Sequence, residues 1–573
     1  MSIFSKVESG TSWLRSRFTK SISYNIKYDC QFGQAVVVCR KFCLPGDVWK
    51  IGGDVLVRFQ PMLTPTLTPN NFKVRYFFVP LRLLESNAEL VITGSKDGHL
   101  YESTLPVLPN FVTNADKVTY ANAYKVTKHS FFDYLGVQVG DYELCKTQKF
   151  LPAEYWSKAY YRIKWDFYDD ENIGTLHQTY ADFEACWTAL KKQGANIPTW
   201  FISLRKDYFT SSLPWQLKGV APAIQVQGTG TSLSFSWSPN YSLSGLDIVT
   251  PQNMVGGYKV AIDSLNYNTT GTNHPPFNAT GSYDESKWNG VASNLNNMLN
   301  KTQSVSSGSV TIGSMSFTAD DLRTMMAQTR IFERLARTGS RYTEYLRANF
   351  GTAPADDTLQ RAQYLGGWSV PIVTTEVLQT AAAGDNPVGT MRGHGITRGG
   401  NHIGTFHCKE FGVILGVAHI IPNIEYTTGS PRELSYKERF DFFNPSFQHL
   451  SEQEVKKGEL YVTTTSDDYD ENEETFGFQA YANELRTSQN LTVGDMRDSL
   501  SYWSQSLHFS SRPELNAALI ESENHRAAFN APFAVRDDEH PESVWPIIVE
   551  FANYFDVYRP MVRYGTPGLV DHL

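Results

Sequence analysis

The sequence is notable first for what it lacks. None of its 573 residues form a run that is apolar and long enough to cross a bilayer. The longest apolar run, FGVILGVAHII (411–421), falls short of the ~20 residues a spanning helix needs and reads as a buried strand. The N-terminus MSIFSKVESG has no apolar core of a secretory signal. Six cysteines (Cys30, Cys39, Cys43, Cys145, Cys186 and Cys408) include no CxxC pair, which fits a reduced, cytosolic assembly compartment rather than a disulfide scaffold. There is no phosphate-loop motif and no GxSxG elbow, and GTGTSL (228–233) lacks the last glycine of a GxGxxG loop. Charge is scarce too: 19% of residues are charged and the net is −8, so the chain as a whole is not a polyelectrolyte binder of DNA.

Three weaker signals also resolve toward bland readings. HIGTFHC (402–408) gathers two histidines and a cysteine, but the five-residue step from His402 to His407 predicts opposite faces of a strand and argues against a zinc site. DDYDENEE (467–474) packs six acids into eight residues without calcium-ligand spacing and reads as a solvated loop. Carboxylates such as Glu550 and Asp556 raise a glycosidase reading, since sugar-binding chains are often all-β and aromatic-rich, yet acids are common and spacing alone does not support it.

What is present is aromatic and β-rich. Aromatics make up 13% of the chain, and the length sets a prior of three or four domains, though all-β units run longer. Strand patterns occur at 52–62, 72–81, 369–380, 411–421 and 546–558, separated by long Pro- and Gly-punctuated connections. Within FKVRYFFVPL, Val74, Tyr76 and Phe78 share one face while Lys73 and Arg75 share the other. Distant strands with large excursions predict a sandwich or jelly roll rather than a βαβ fold. Residues 220–317 carry only seven charges in 98 residues and read as a surface insertion. Its four N-x-[ST] sequons are what such a composition produces by chance. The organisation expected is 1–219 for an N-terminal arm, first strands and helical excursions, 220–317 for the insertion, and 318–573 for a helical connection, remaining strands and C-terminal arm.

Helices interrupt the β pattern. Residues 318–338 open on Thr318 as N-cap, and Leu322, Met325, Met326, Thr329, Phe332 and Leu335 follow helical spacing. Ser340 caps a second helix that ends on Gly351, with Tyr342, Tyr345, Leu346 and Phe350 as its apolar face. At the N-terminus, residues 12–27 interleave Trp13, Phe18 and Tyr24 with Arg15, Arg17, Lys20 and Lys27. Residues 1–60 hold nine Lys/Arg against four Asp/Glu. Cations that neutralise phosphates beside rings that stack on bases are one reading, and an arm packed on a neighbour is the other.

Several strings in collinear order resemble the major capsid protein of the Microviridae, especially its gokushovirus-like branch. They include LPGDVWKI (44–51), FFVPLRLL (77–84), RKDYFTSSLPWQLKG (205–219), LARTGSRYTEYLRANFG (335–351), FNPSFQHLSEQEV (443–455) and YGTPGLVDHL (564–573). The resemblance implies an eight-stranded antiparallel viral jelly roll, mainly β, with long loop insertions containing helices. It further implies a T=1 icosahedral homo-oligomer around single-stranded DNA, with the insertion as a threefold protrusion that contacts a host receptor. No catalysis, cofactor, metal or membrane insertion is expected. Partners are other copies of the chain, encapsidated DNA, and other virion or scaffolding proteins. The location is the virion, assembled in the bacterial cytoplasm. Candidate nucleic-acid residues are Trp13, Arg15, Arg17, Phe18, Lys20 and Lys27. Candidate interface residues are Arg337, Arg341, Tyr342, Tyr345 and Arg347. The rival reading is a carbohydrate-binding or glycoside-hydrolysing β-sandwich, and a third joins the two, with the insertion binding host glycans.

Overall fold

The computed structural model describes residues 18–93, 105–106, 122–142, 152–219, 233–234, 309–310, 319–338, 342–351, 355–378, 380, 389, 391–447, 452–464, 469–533 and 545–561. Two compact units divide the chain: Met1–Gly219 with Phe332–Leu573, and Val220–Ile331. In the smaller unit the described residues are an antiparallel pairing of Leu233–Ser234 with Ser309–Val310 and the first part of a long helix.

The larger unit is built on two antiparallel sheets. Its strands are β1 (Phe18–Ser21), β2 (Tyr24–Cys30), β3 (Val36–Cys43), β4 (Val48–Phe59), β5 (Asn70–Pro80), β6 (Gln363–Ile372), β7 (Thr374–Leu378), β8 (Met391–His407), β9 (Gly412–Pro422), β10 (Glu452–Lys456), β11 (Thr475–Ala480) and β12 (Ile547–Arg559). One sheet runs β1–β12–β4–β8–β7, with β2 also on β12. The other runs β6–β5–β9–β3. From β2 to β5 each successive strand crosses to the opposite sheet, the winding of a double-sheet jelly roll. The first sheet holds six strands rather than four for two local reasons. β1 and β2 are one edge track broken at Ile22–Ser23, where Ile22 N–H still reaches the Phe555 carbonyl at 2.8 Å. β7 pairs only with the start of β8, at Met391–Gly395.

The residues 369–380, read above as one strand, are thus two. The chain leaves one sheet at Ile372, passes exposed Val373 and enters the other at Thr374.

Alternation explains the core. On β12, Ile547, Val549, Phe551, Asn553, Phe555 and Val557 are buried and the residues alternating with them are not, Asn553 being held by a hydrogen bond to the Val38 carbonyl at 2.8 Å. Phe551 meets Phe72 (6.1 Å between centroids) and stacks on Trp368 (6.0 Å) across the sandwich, and Phe78 meets Phe406 at 5.0 Å. The predicted faces of β5 hold: Val74, Tyr76 and Phe78 are fully buried, while Lys73 and Arg75 point outward. β9 is buried at every position because its second face is covered. The cover comes from helix α1 (Glu154–Ile163) and the segments after it. Tyr160 stacks between Phe131 (4.6 Å) and Trp200 (5.1 Å), and Phe167 lies 5.0 Å from Phe77 of β5. Two edges meet at one seam, where β6 packs on β8 without ladder bonds. A Cβ on Gly399 would come within 2.8 Å of Val370, so only glycine fits there.

Bulges decide where side chains on β8 point. The β8–β4 register shifts between His402 and Gly404. His402 then faces Gly52 and His407 faces Val48, so the extra residue puts both histidines on the same face, not on opposite ones. They are still about 13 Å apart along the strand at ~3.3 Å per residue, too far for one ion. Among the described residues no cluster of three or more His, Cys, Asp or Glu could hold a metal. The acidic run is also less bare than predicted. Tyr469–Glu473 forms a 3-10 turn, with Glu471 paired to Arg512, Glu473 to Lys456, and Glu474 to Lys457 at 2.7 Å.

Candidate assembly and nucleic-acid surfaces

The arm residues fall into two groups. Trp13, Arg15 and Arg17 lie outside the described residues. Phe18 and Lys20 belong to β1, where Phe18 pairs with Arg559 and Lys20 with Val557, and Lys20 is exposed. Lys27 lies on β2 opposite Glu550, 3.9 Å from its carboxylate, and its side chain is 76% exposed. An exposed pair at that distance contributes at most ~1 kcal/mol, so Lys27 is available to a stronger anion. From residue 18 onward the arm is an edge strand fixed to β12, which spaces its cations at strand intervals.

The far end of β12 is locked. Arg559 grips Asp47 in the β3–β4 turn with bonds of 2.8 and 3.1 Å, and the Asp47 side chain is fully buried. Asp47 also accepts from Leu44 N–H at 2.9 Å, and the guanidinium lies 5.3 Å from the Trp49 ring.

The five helix residues are also split. Helix α2 (Ala319–Thr338) and helix α3 (Tyr342–Phe350) form where the sequence predicts them, the expected caps Thr318 and Ser340 lie outside the described residues, and Gly351 follows α3 with φ +67 and its N–H on Arg347 O at 3.0 Å. Arg337 is tied to the buried carboxylate of Glu452 at the start of β10, an ion pair within the chain. Arg347 is exposed, and Tyr345 packs edge-on to Phe350 at 6.2 Å, with Phe350 itself 66% exposed. Arg334 donates to Asn349 at 3.0 Å and links the two helices. Arg341 and the Tyr342 side chain lie outside the described residues. Of the described α2 side chains only Ala336 is buried. Among the described residues this helix has little cover, so it gains little from packing against them.

Two further surfaces carry no flag in the candidate residues drawn from the sequence. The outer face of the first sheet shows Ile548, Tyr554 and Tyr558 of β12 to solvent, beside Ile396 of β8. The segment 432–447 displays Leu434, Phe440, Phe442 and Phe443, with Phe443 5.9 Å from Tyr481 and Phe442 5.7 Å from Tyr436. Clustered exposed aromatics mark interaction surfaces. The signal was in the letters: FDFF places three phenylalanines in four positions, and β12 has apolar residues at both parities.

Nothing on these surfaces has the geometry of catalysis. Glu550 and Asp556 share the open face of β12, but six residues at ~3.3 Å put them about 20 Å apart. Paired glycosidase carboxylates stand within about 10 Å.

Comparison with known proteins agrees with this surface-rich architecture. The family model described as capsid protein (F protein) matches residues 5–569. Capsid protein VP1 of Chlamydia phage 1 is 27% identical, over 99% of this chain and 97% of its own length. Capsid protein VP1 of Bdellovibrio phage phiMH2K is 26% identical, over 97% and 95%. Capsid protein VP1 of Spiroplasma virus 4 is 24% identical, over 94% and 92%.

Proposed function

The chain belongs to the capsid protein (F protein) family, and on that premise we propose how it builds a particle. It is a major capsid protein of the Microviridae type, a structural component of the virion that assembles with copies of itself and is not an enzyme. The observation that carries this is the match of one family along almost the whole chain, on a fold with jelly-roll winding. The shell is a T=1 icosahedron enclosing circular single-stranded DNA, completed with scaffolding or other virion proteins. Many modest contacts add up in a closed shell, and the bare face of β12, the α2–α3 pair and the aromatic segment 432–447 supply them. Arg341, Tyr342, Tyr345 and Arg347 act at subunit contacts, while Arg337 positions its helix through Glu452. Trp13, Arg15, Arg17, Phe18, Lys20 and Lys27 hold DNA without sequence preference. The 220–317 insertion forms a protrusion that contacts the host.

Sedimentation velocity with electron microscopy of the purified chain tests the assembly reading. The expected result is one fast species, uniform round shells and nuclease-protected single-stranded DNA. A slow species near 64.6 kDa that persists on co-expression with the other virion proteins would overturn it. Replacing Arg15, Arg17 and Lys20 by Ala should lower DNA content and flatten its salt dependence, and unchanged values sink the arm's role. Deleting 220–317 should abolish attachment while particles still form, and loss of particles would make the insertion structural instead.

A further inference from the structure

One corner of the sandwich brings two cysteines together. Cys43 is the last residue of β3, opposite Gly412 of β9 in one sheet. Cys408 follows the last residue of β8 in the other sheet. They lie 365 positions apart in the chain. The β3–β4 turn joins them in space. Cys408 N–H donates to the Asp47 carbonyl at 2.8 Å, and Gly46 N–H donates back to the Cys408 carbonyl at 2.8 Å. This two-way pairing lays Cys408 across the turn that starts from Cys43. The Cys408 thiol donates to the Glu410 carbonyl at 2.9 Å, and the Cys43 thiol is hydrogen-bonded to Cys408. Cys43 is fully buried, Cys408 is 3% exposed, and both are free thiols.

The two sulfurs are not equivalent. Burial, followed by the hydrogen bond with Cys408, raises the Cys43 pKa. At Cys408 the hydrogen bond with Cys43 outweighs burial and lowers it. At the other described cysteines burial dominates, pushing Cys39 and Cys186 up to about 12 and Cys30 higher still. The thiolate is the nucleophile, so Cys408 is the most reactive of the described thiols. It also lies nearest an entry. His407 and Lys409, on either side of it, line a cavity of about 500 Å³ beside the β6–β8 seam. With so little of Cys408 exposed, its oxidant has to be small and uncharged, which selects a hydroperoxide over a glutathione disulfide.

We propose that Cys43 and Cys408 are a modification site, closed by hydrogen peroxide into a disulfide that staples the two sheets at this corner after the chain has folded with both thiols reduced. The Cys408 sulfur attacks one peroxide oxygen. An S–O bond forms, the O–O bond breaks, and the departing hydroxide leaves as water with the proton from Cys408. The Cys43 sulfur then attacks the sulfenic sulfur. The S–S bond forms, the S–O bond breaks, and the second hydroxide leaves as water with the proton from Cys43. Two thiols are oxidised and one peroxide is reduced to two waters. The bond joins the end of β3 to the exit of β8, beside the Asp47 that Arg559 grips, so the anchor of β12 lies in the stapled corner. A cross-link spanning 365 positions restricts the unfolded chain, so the oxidised form is the more stable one. A particle that leaves a reducing cytoplasm thereby hardens outside the cell, and reduction reverses the change.

The test uses the full chain, reduced, freed of reductant, treated with hydrogen peroxide and then blocked with N-ethylmaleimide. Thiols titrated under denaturing conditions should fall from six to four, and digestion should yield the Cys43 and Cys408 peptides joined to each other. Dithiothreitol should restore all six. Six thiols after peroxide, or a bond through any other pair, would overturn the proposal. Cys43→Ala should halt the reaction after its first step, leaving a sulfenic acid on Cys408 that a dimedone probe labels. Label on another cysteine, or on none, would overturn the role given to Cys408. The staple itself is read from urea unfolding of the parent chain. Its midpoint should rise on oxidation, return with dithiothreitol, and stay unmoved by peroxide in Cys43→Ala/Cys408→Ala. A bond that forms without moving the parent's midpoint would overturn the stapling. The parent measurements need neither variant, so a variant that fails to fold leaves them decisive. None of the readouts requires an assembled shell, so they are independent of the assembly reading.

Discussion

The two sheets of the sandwich share an interior but treat their outer faces in opposite ways. Behind β5 and β9 the chain builds its own cover, so Phe77, Val417 and His419 are buried although they point away from the sandwich core. Behind β12 and β4 the described residues build none, and Ile548, Tyr554 and Tyr558 are exposed among Lys27, Glu550 and Asp556. The contrast separates two uses of apolar surface. The covered face contributes to the stability of a single chain, whereas the open one contributes only when another molecule arrives. It follows that mutations of equal size should register in different assays according to which sheet they touch.

The largest effect belongs to the covered face. Phe77→Ala removes a ring packed against Phe167 and should cost about 3–5 kcal/mol in denaturant unfolding of the chain. A loss under 1 kcal/mol would show that the cover packs loosely and would break the contrast. Arg559→Leu tests the lock that holds β12 in place, since it leaves Asp47 buried without its cation. The expected loss is about 3 kcal/mol, the low end for a broken buried pair because the guanidinium is 18% exposed.

The cover should also have a pH signature. Burial and then Glu154 lift Glu85 from 4.5 to about 7, with Lys158, Glu184 and Lys191 also facing it. A carboxyl whose folded value lies above its unfolded one gives stability that is full below about pH 4.5 and is lost as pH rises to about 7. Glu85→Gln should flatten that decline and gain up to about 3 kcal/mol at pH 8. Parallel curves for parent and variant between pH 4 and 8 would refute the assignment. The smallest effect on stability belongs to the open face. Tyr554→Ala should change unfolding by no more than about 0.5 kcal/mol yet lower particle yield. A folding defect like that of Phe77→Ala would erase the distinction between the sheets.

Much of this was legible from periodicity. The alternation of Val74, Tyr76 and Phe78 with Lys73 and Arg75 gave the faces of β5, and the unbroken apolar run 411–421 gave a strand buried on both sides. Gly351 marked the C-terminal end of α3. What escaped reading depends on single residues acting at a distance. The bulge at His402–Gly404 moves two histidines to one face, and no local pattern announces it. The crossing at Val373 splits one apolar run between two sheets. The sequence placed Lys73 and Arg75 on one strand face but gave no sign of Arg205 beside them, because their convergence exists only after segments 130 residues apart are folded together. Among the assembly candidates, Arg337 looked free in sequence since Glu452 lies 115 positions away.

The pairing of β12 between β2 and β4 has a consequence in time. Cys30 lies opposite Ile547 in that ladder, so the central track of the first sheet is missing until nearly the whole chain has been made. At ~5–20 residues per second, synthesis of the chain takes roughly half a minute to two minutes. The covered sheet can form only in about the last quarter of that interval, once Pro422 of β9 has been made, and even then the open face has no middle strand until Ile547–Arg559 follows. A nascent chain on the ribosome therefore cannot present the complete face, and neighbouring polysomes are protected from joining through it. Translation itself acts as the timer that keeps assembly waiting for finished subunits.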